Sequence, residues 1–150
     1  APKHADWAER YELVAHVTRR KLNVKLGLEN RDYYGQIPQL VEYDAWFERY
    51  EGTPVGLWYD FGHGAILEAL GLGSKDRLLE RHGHRLLGLH LHDCHGIKDH
   101  IVPGTGQIDF AFMRPYLRPD VLRVLEYGSK VQKKKKIAAG VDYLRRAGML

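Results

Sequence analysis

The sequence predicts an α/β fold: a leading helix, then four βα units whose parallel strands make half of an eight-stranded barrel. Three observations predict it. Short apolar runs alternate with helix-like stretches, which is how parallel βα units read. Each of four runs then ends in a side chain suited to metal binding or acid–base work. Residues 24–28 run into Glu29, 55–59 into Asp60, 86–89 into His90 and 121–125 into Glu126. One polar group at the same end of successive strands is how a parallel sheet builds a site at its C-terminal edge. Two glutamates, an aspartate and one or more histidines converging there suit a divalent cation.

The elements follow in order. Residues 6–20 carry Trp7, Tyr11, Val14, Ala15 and Val17 near helical spacing, with Asp6 as N-cap. The first strand is 24–29. A helix over 38–50 has Pro38 in its first turn and Leu40, Val41, Trp46 and Phe47 inward. The second strand is 55–60, and a short helix over 64–70 is closed by Gly71. Ser74 opens another helix that stops near Gly83. The third strand is 86–92. A long loop over 94–107 holds Gly96, Pro103, Gly104 and Gly106. A short helix over 109–117 and a turn at Pro119-Asp120 lead to the fourth strand, 121–126. The last helix is 130–147, with Gly148 past its end.

At 150 residues the chain reads as a single half-barrel domain, residues 1–150, long enough to bury a core. A complete barrel of this kind typically takes about 250 residues. Four strands leave two open edges and an uncovered inner face. Three outcomes meet that need: a longer enzyme of which this is the C-terminal half, two copies closing one barrel, or a separate chain supplying the rest. No apolar run approaches the roughly 18 residues of a membrane span. The first residues lack the apolar centre of a secretory signal. The single cysteine, Cys94, cannot form an internal disulfide, which fits a reducing cytoplasm.

The net charge of +4 comes from one tract, the lysines at 133–136. Without it, basic and acidic residues balance at 19 each. The tract reads as a solvated helix face rather than a distributed phosphate-binding surface, so a nucleic-acid partner is not expected. Four cations near a helix start oppose the macrodipole, and nothing in the sequence explains them.

Asp60-Phe61-Gly62-His63-Gly64 places Asp and His three apart at a strand-to-helix turn. Alone, that is a capping aspartate and a surface histidine; the repeat of the pattern on the other strands raises its weight. His90 and His92 alternate along a strand and share a face. His90 is taken as the metal ligand and His92 as a support or substrate contact. The 103–109 loop, Pro-Gly-Thr-Gly-Gln-Ile-Asp, is a Gly-rich segment ahead of a helix and reads as an anion binder. It lacks the Gly-Lys-Ser/Thr ending of a nucleotide loop.

Taken together, Leu28-Glu29-Asn30-Arg31, Tyr59-Asp60-Phe61-Gly62-His63, His90-Leu91-His92-Asp93, Asp99-His100 with Pro103-Gly104-Thr105-Gly106, and Leu125-Glu126 resemble the xylose-isomerase-like TIM-barrel superfamily. Sugar phosphate isomerases and epimerases and the abasic-site endonucleases belong to it. The resemblance covers nearly the whole chain and implies strands five to eight of the barrel. It implies that Glu29, Asp60, His90 and Glu126 hold one divalent ion (manganese, magnesium, cobalt or zinc). It also implies that His63 contacts substrate, or a second metal in the endonucleases, and that the loop histidine His100 closes over the site.

The resulting expectation is a metal-dependent sugar or sugar-phosphate isomerase/epimerase, active once the barrel is completed. It would work through an enediolate, with Glu29 and Glu126 as acid and base. Arg31 reads equally as a contact for substrate oxygen and as a surface ion pair. Trp58 reads as core, and Tyr33 and Tyr34 as entrance or packing residues. Two alternatives stand beside this. An abasic-site endonuclease-like phosphodiesterase would need a multi-zinc cluster; that family's loop has Asp two residues before the His, where this chain has Lys98, with Asp99 one residue before His100. The other alternative is an inactive half-barrel fragment or scaffold.

Overall fold

A computed structural model describes residues 5–20, 23–33, 36, 38–128 and 134–150. Four parallel strands form the main sheet in sequential order: β1 (Leu26–Glu29), β2 (Val55–Asp60), β3 (Leu86–Leu91) and β6 (Leu122–Leu125). Helices α1 (Ala5–Arg19), α2 (Tyr43–Arg49), α3 (Phe61–Ala69), α4 (Lys75–His82) and α5 (Lys134–Arg146) accompany it. This is the half-barrel architecture expected from sequence.

Register decides which side chains meet. Gly27 pairs with Gly56, Glu29 with Trp58, Trp58 with Gly88, Asp60 with His90, and His90 with Val124. Paired residues share a face, so all of these lie on one side of the sheet. The other side carries Val55, Leu57, Tyr59, Leu89 and Leu91, which pack into one core with Tyr43, Trp46, Phe47, Leu78, Leu79, Phe110 and Leu144. The apolar runs do not mean burial on both faces throughout. On the side opposite the core Leu122 is 60% exposed and Val124 40% exposed.

Several boundaries differ from expectation for local reasons. The chain enters α2 through a 3-10 turn, Leu40–Glu42, whose Glu42 carboxylate accepts the Gln39 N–H at 2.7 Å. That tighter turn sends Leu40 and Tyr43 inward and leaves Val41, expected inward, exposed. Helix α3 starts at Phe61 rather than 64, because Asp60 Oδ1 accepts the His63 N–H at 2.8 Å and caps the helix directly after β2. Residues 109–117 form a 3-10 helix, Phe110–Tyr116, capped by Asp109. The 94–107 stretch is not all loop. It contains an antiparallel hairpin, β4 (Asp93–His95) and β5 (Lys98–Ile101), turning at Gly96 with φ +59°.

Helix α1 begins at Ala5, and its Tyr11 ring stacks on Trp46 at 4.3 Å. The side chains of Asp6 and Trp7, assigned above to its cap and stripe, lie outside the described residues, as do Tyr34 and the start of the last helix at 130–133. Lys134, Lys135 and Lys136 are exposed in the first turn of α5.

Candidate metal and acid–base site

The ends of β1, β2, β3 and β6 bring Glu29, Asp60, His90 and Glu126 to one point. His90 Nδ1 lies 3.0 Å from Glu126 Oε2, 3.3 Å from Glu29 Oε1 and 3.3 Å from Asp60 Oδ2. The three carboxylates reach the same His90 atom across a staggered register: Asp60 is level with His90, whereas Glu29 is level with Trp58 and His90 with Val124, two residues before Glu126. Donor atoms of Glu29, Asp60 and His90 lie within 4.8 Å of one another, close enough to share an ion. Oxygen and imidazole donors of this mix suit a divalent first-row or magnesium-like cation.

Asp60 is the fixed centre. It is fully buried, and both its oxygens are committed. Oδ1 caps α3, and Oδ2 accepts from His92 Nε2 at 3.0 Å. The capping role and the site role therefore coexist on separate oxygens. Its backbone N–H donates to Asn30 Oδ1 at 2.7 Å, and Asn30 Nδ2 donates back to the Asp60 carbonyl at 2.9 Å. Burial pushes the Asp60 carboxyl upward, but hydrogen bonds from His90 and His92 outweigh it and hold the group well below the ordinary carboxylate range. Asn30, fully buried, ties β1 to β2 next to the ligands. Sequence reasoning places Asn30 in a motif and gives it no role; its position beside Glu29 is the available signal.

The histidines divide by surroundings. His90 is raised above the ordinary imidazole value by its bond to Asp60, against some burial, with Glu126 and Glu29 adding to the pull. Its ring meets the edge of Trp58 at 5.3 Å. Trp58, expected in the core, instead lies on the site face, where Gly27 and Gly88 leave room for its ring. His92 is fully buried. Burial opposes a charge on it and Asp60 favours one, with a net upward pull. The His100 N–H nevertheless occupies Nδ1 at 2.9 Å, so the ring keeps its proton on Nε2 and donates it to Asp60. His92 thus stands behind Asp60 rather than at an open surface.

His63 Nδ1 donates to the Asn30 carbonyl at 2.9 Å, which leaves Nε2 facing Asp99 at 3.8 Å. His100 stacks on His92 at 4.2 Å, with Nδ1 2.8 Å from Asp99 and Nε2 3.5 Å from Glu126. His63, Asp99 and His100 form a second group able to hold an ion, and His92, His100 and Glu126 a third. Arg31 pairs with Glu29 Oε2 at 2.8 Å and with Gln36 at 3.1 Å, which is the ion-pair reading, placed at the site edge. Tyr33 is 68% exposed. Cys94 is buried, and burial first, then the nearby Asp93 charge, push its thiol up to about 11, so it carries no nucleophile here.

No protein-family model matches the chain. Over 100 residues it is 36% identical to an uncharacterized protein, y4fM, of Sinorhizobium fredii; the match takes in 66% of this chain and 30% of that protein. It superposes on a D-tagatose 3-epimerase-like protein with a TM-score of 0.64 at 15% identity, covering 91% of this chain and 52% of that one. The chain therefore spans less than a third of the curated relative and about half of the solved structure. The likeness establishes the fold, a parallel α/β half of a TIM barrel. Among the described residues no helix is long and apolar enough to cross a membrane.

Proposed function

We propose that this chain is the C-terminal, ligand-bearing half of a xylose-isomerase-like enzyme. Its activity would be the isomerisation or epimerisation of a sugar or sugar phosphate with one divalent ion (manganese, magnesium, cobalt or zinc). The observation that carries the reading is the approach of Glu29, Asp60 and Glu126 to a single nitrogen of His90. Three carboxylates around one imidazole repel one another unless a cation balances them. The likeness of fold to an epimerase-like protein supports the same class.

Glu29, Asp60, His90 and Glu126 would hold the ion, which when bound supplies Lewis-acid polarisation of a substrate carbonyl. Glu29 and Glu126 come from β1 and the end of β6, on either side of Asp60 and His90 in the strand order. A substrate carbon between them would lose a proton to one carboxylate and regain a proton from the other. Arg31 holds Glu29 Oε2, leaving Oε1 directed at the site. His92 keeps Asp60 ionised and aimed, and His63 and His100 line the approach for substrate hydroxyls. General acid–base transfer of this kind contributes roughly a hundred- to ten-thousand-fold in rate.

Completion of the barrel is part of the proposal. The sheet ends at β1 and β6, Leu122 and Val124 are exposed on the site face, and Trp58 Nε1 is buried without a partner among the described residues. A second set of βα units, in the same polypeptide, a second copy or a separate chain, would cover them. The balanced charge outside the lysine tract and the single buried cysteine fit a small-molecule substrate in a reducing cytoplasm.

The test is calorimetric titration of the full chain with Mn2+ and Co2+, with solvent-deuterium incorporation into a panel of ketoses and ketose phosphates. Binding of one ion with C–H exchange supports the reading; an absence of ion binding leaves the inactive-scaffold alternative. The group formed by His63, Asp99 and His100 favours a second reading, a multi-metal phosphodiesterase. Several bound zinc ions together with cleavage of abasic DNA would select it.

A further inference from the structure

The amides of the Gly-rich loop, expected to receive an outside anion, already hold one. Asp93 is 1% exposed and its carboxylate takes four backbone donors. Oδ2 accepts the N–H of Gly104 and of Gly106, each at 2.9 Å. Oδ1 accepts the N–H of Cys94 at 2.9 Å and of Ile108 at 3.0 Å. A buried carboxylate so supplied is satisfied without a cation. Gly104 sits at φ +86°, and a Cβ on Gly106 would strike Asp93 and the Cys94 carbonyl, so only glycine allows the chain to wrap this closely.

The same residue anchors the hairpin. The Asp93 backbone pairs with Ile101, the neighbour of His100. His100 has φ +54°, the one positive value among the described non-glycine residues. Its N–H goes to His92 Nδ1 at 2.9 Å, and its carbonyl accepts the Gly128 N–H at 3.0 Å. Such a conformation in a non-glycine residue costs on the order of 1–3 kcal/mol and persists only where the surroundings over-determine it. His100 is thus held by His92 and Gly128 on its own backbone groups, while Asp93 fixes the chain directly after it, through the pairing with Ile101 and the bonds to residues 104–108.

We infer that Asp93 is a positioning residue: an internal anion that fills the nest of the 102–108 loop and so fixes His100 against His92 and Glu126. The consequence for metal affinity rests on the proposed site; the placement of His100 does not.

The test compares Asp93→Ala, Asp93→Asn, His100→Ala and the Asp93→Ala/His100→Ala double variant in the full chain. Amide hydrogen exchange is followed by NMR at Gly104, Gly106, Ile108, His100 and Gly128, with β2 and β3 amides as controls. In Asp93→Ala, protection at all five amides falls about tenfold or more while the controls hold. Co2+ affinity, read from its visible spectrum, falls about as far as in His100→Ala, by roughly ten- to hundred-fold, and no further in the double variant. Added sodium formate, which can occupy the vacated nest, restores His100 protection in Asp93→Ala and not in Asp93→Asn, whose side chain fills the space. A His100 amide that stays protected in folded Asp93→Ala, or that formate fails to rescue, overturns the inference. If Asp93→Ala does not fold, the His100 amide of Asp93→Asn decides instead: lost protection supports the inference and retained protection overturns it. A wild-type chain that binds no Co2+ sinks the site reading and leaves the exchange result to decide this one.

Discussion

His92 Nε2 lies 3.0 Å from Asp60 Oδ2, and both side chains are fully buried. The imidazole touches nothing outside the protein. It restrains the oxygen that faces His90, which makes it a support for a candidate ligand. Second partners of this sort set ligand orientation and basicity.

That relationship yields the first prediction. His92→Ala removes no ligand, yet it should weaken Mn2+ or Co2+ binding by about ten- to hundred-fold. Calorimetry on the two proteins checks it, and equal affinities would remove His92 from the site's support.

Gly62→Ala should reach the same place by another route. An added Cβ would collide with the His92 ring and approach Asp99. Either α3 or His92 must move, at about 1–3 kcal/mol. Denaturant unfolding should show that loss together with weaker metal binding. A destabilised variant of undiminished affinity would separate the helix contact from the site.

Asp60 and His90 give opposite pH dependences in the metal-free chain. The Asp60 carboxyl is held below its ordinary value of 3.8, so its contribution is present above that value and is lost as pH falls through the lower folded value. His90 is raised above 6.5, so its contribution is full below 6.5 and is lost as pH rises through the higher folded value. The thermal midpoint should therefore fall between about pH 6 and about pH 8. His90→Gln should flatten this slope, and an unchanged slope in that variant would assign it to another group. Metal binding should run the other way, strengthening as pH rises and the imidazole loses its proton.

The four strand-end residues were legible in the sequence because each apolar run stops at a polar group, and a parallel sheet gathers those stops at one edge, here with a stagger of two residues at Glu29 and at Glu126. Residues 55–60 match their strand to the residue. What the sequence hid depended on long-range pairing. Nothing local distinguishes a 14-residue loop from the hairpin whose partners Asp93 and Ile101 meet across it. Trp58 reads as core until the register sets it opposite Gly88 and Glu29. Val41 follows helical spacing, and only the 3-10 entry to α2 turns it outward. The glycine loop looked like a ligand cradle because the carboxylate that fills it lies 11 to 15 residues earlier in the chain.

The open site face predicts association. Sedimentation should show the isolated chain self-associating, and Leu122→Lys with Val124→Lys should shift it toward monomer, since both side chains are exposed there. A monodisperse wild-type monomer that unfolds cooperatively would argue that the face needs no cover.

Glu126→Gln should abolish solvent-deuterium exchange into substrate while changing stability by no more than about 0.5 kcal/mol, because Glu126 is a half-exposed residue outside the core. Retained exchange would exclude Glu126 as acid or base.

Anomalous diffraction from crystals grown with Mn2+ would locate the ion itself. One strong peak is expected, bounded by Glu29, Asp60, His90 and Glu126, with His92 still against Asp60. A crystal soaked to saturation that shows no peak between those four side chains, or places the ion elsewhere, would contradict the proposed site.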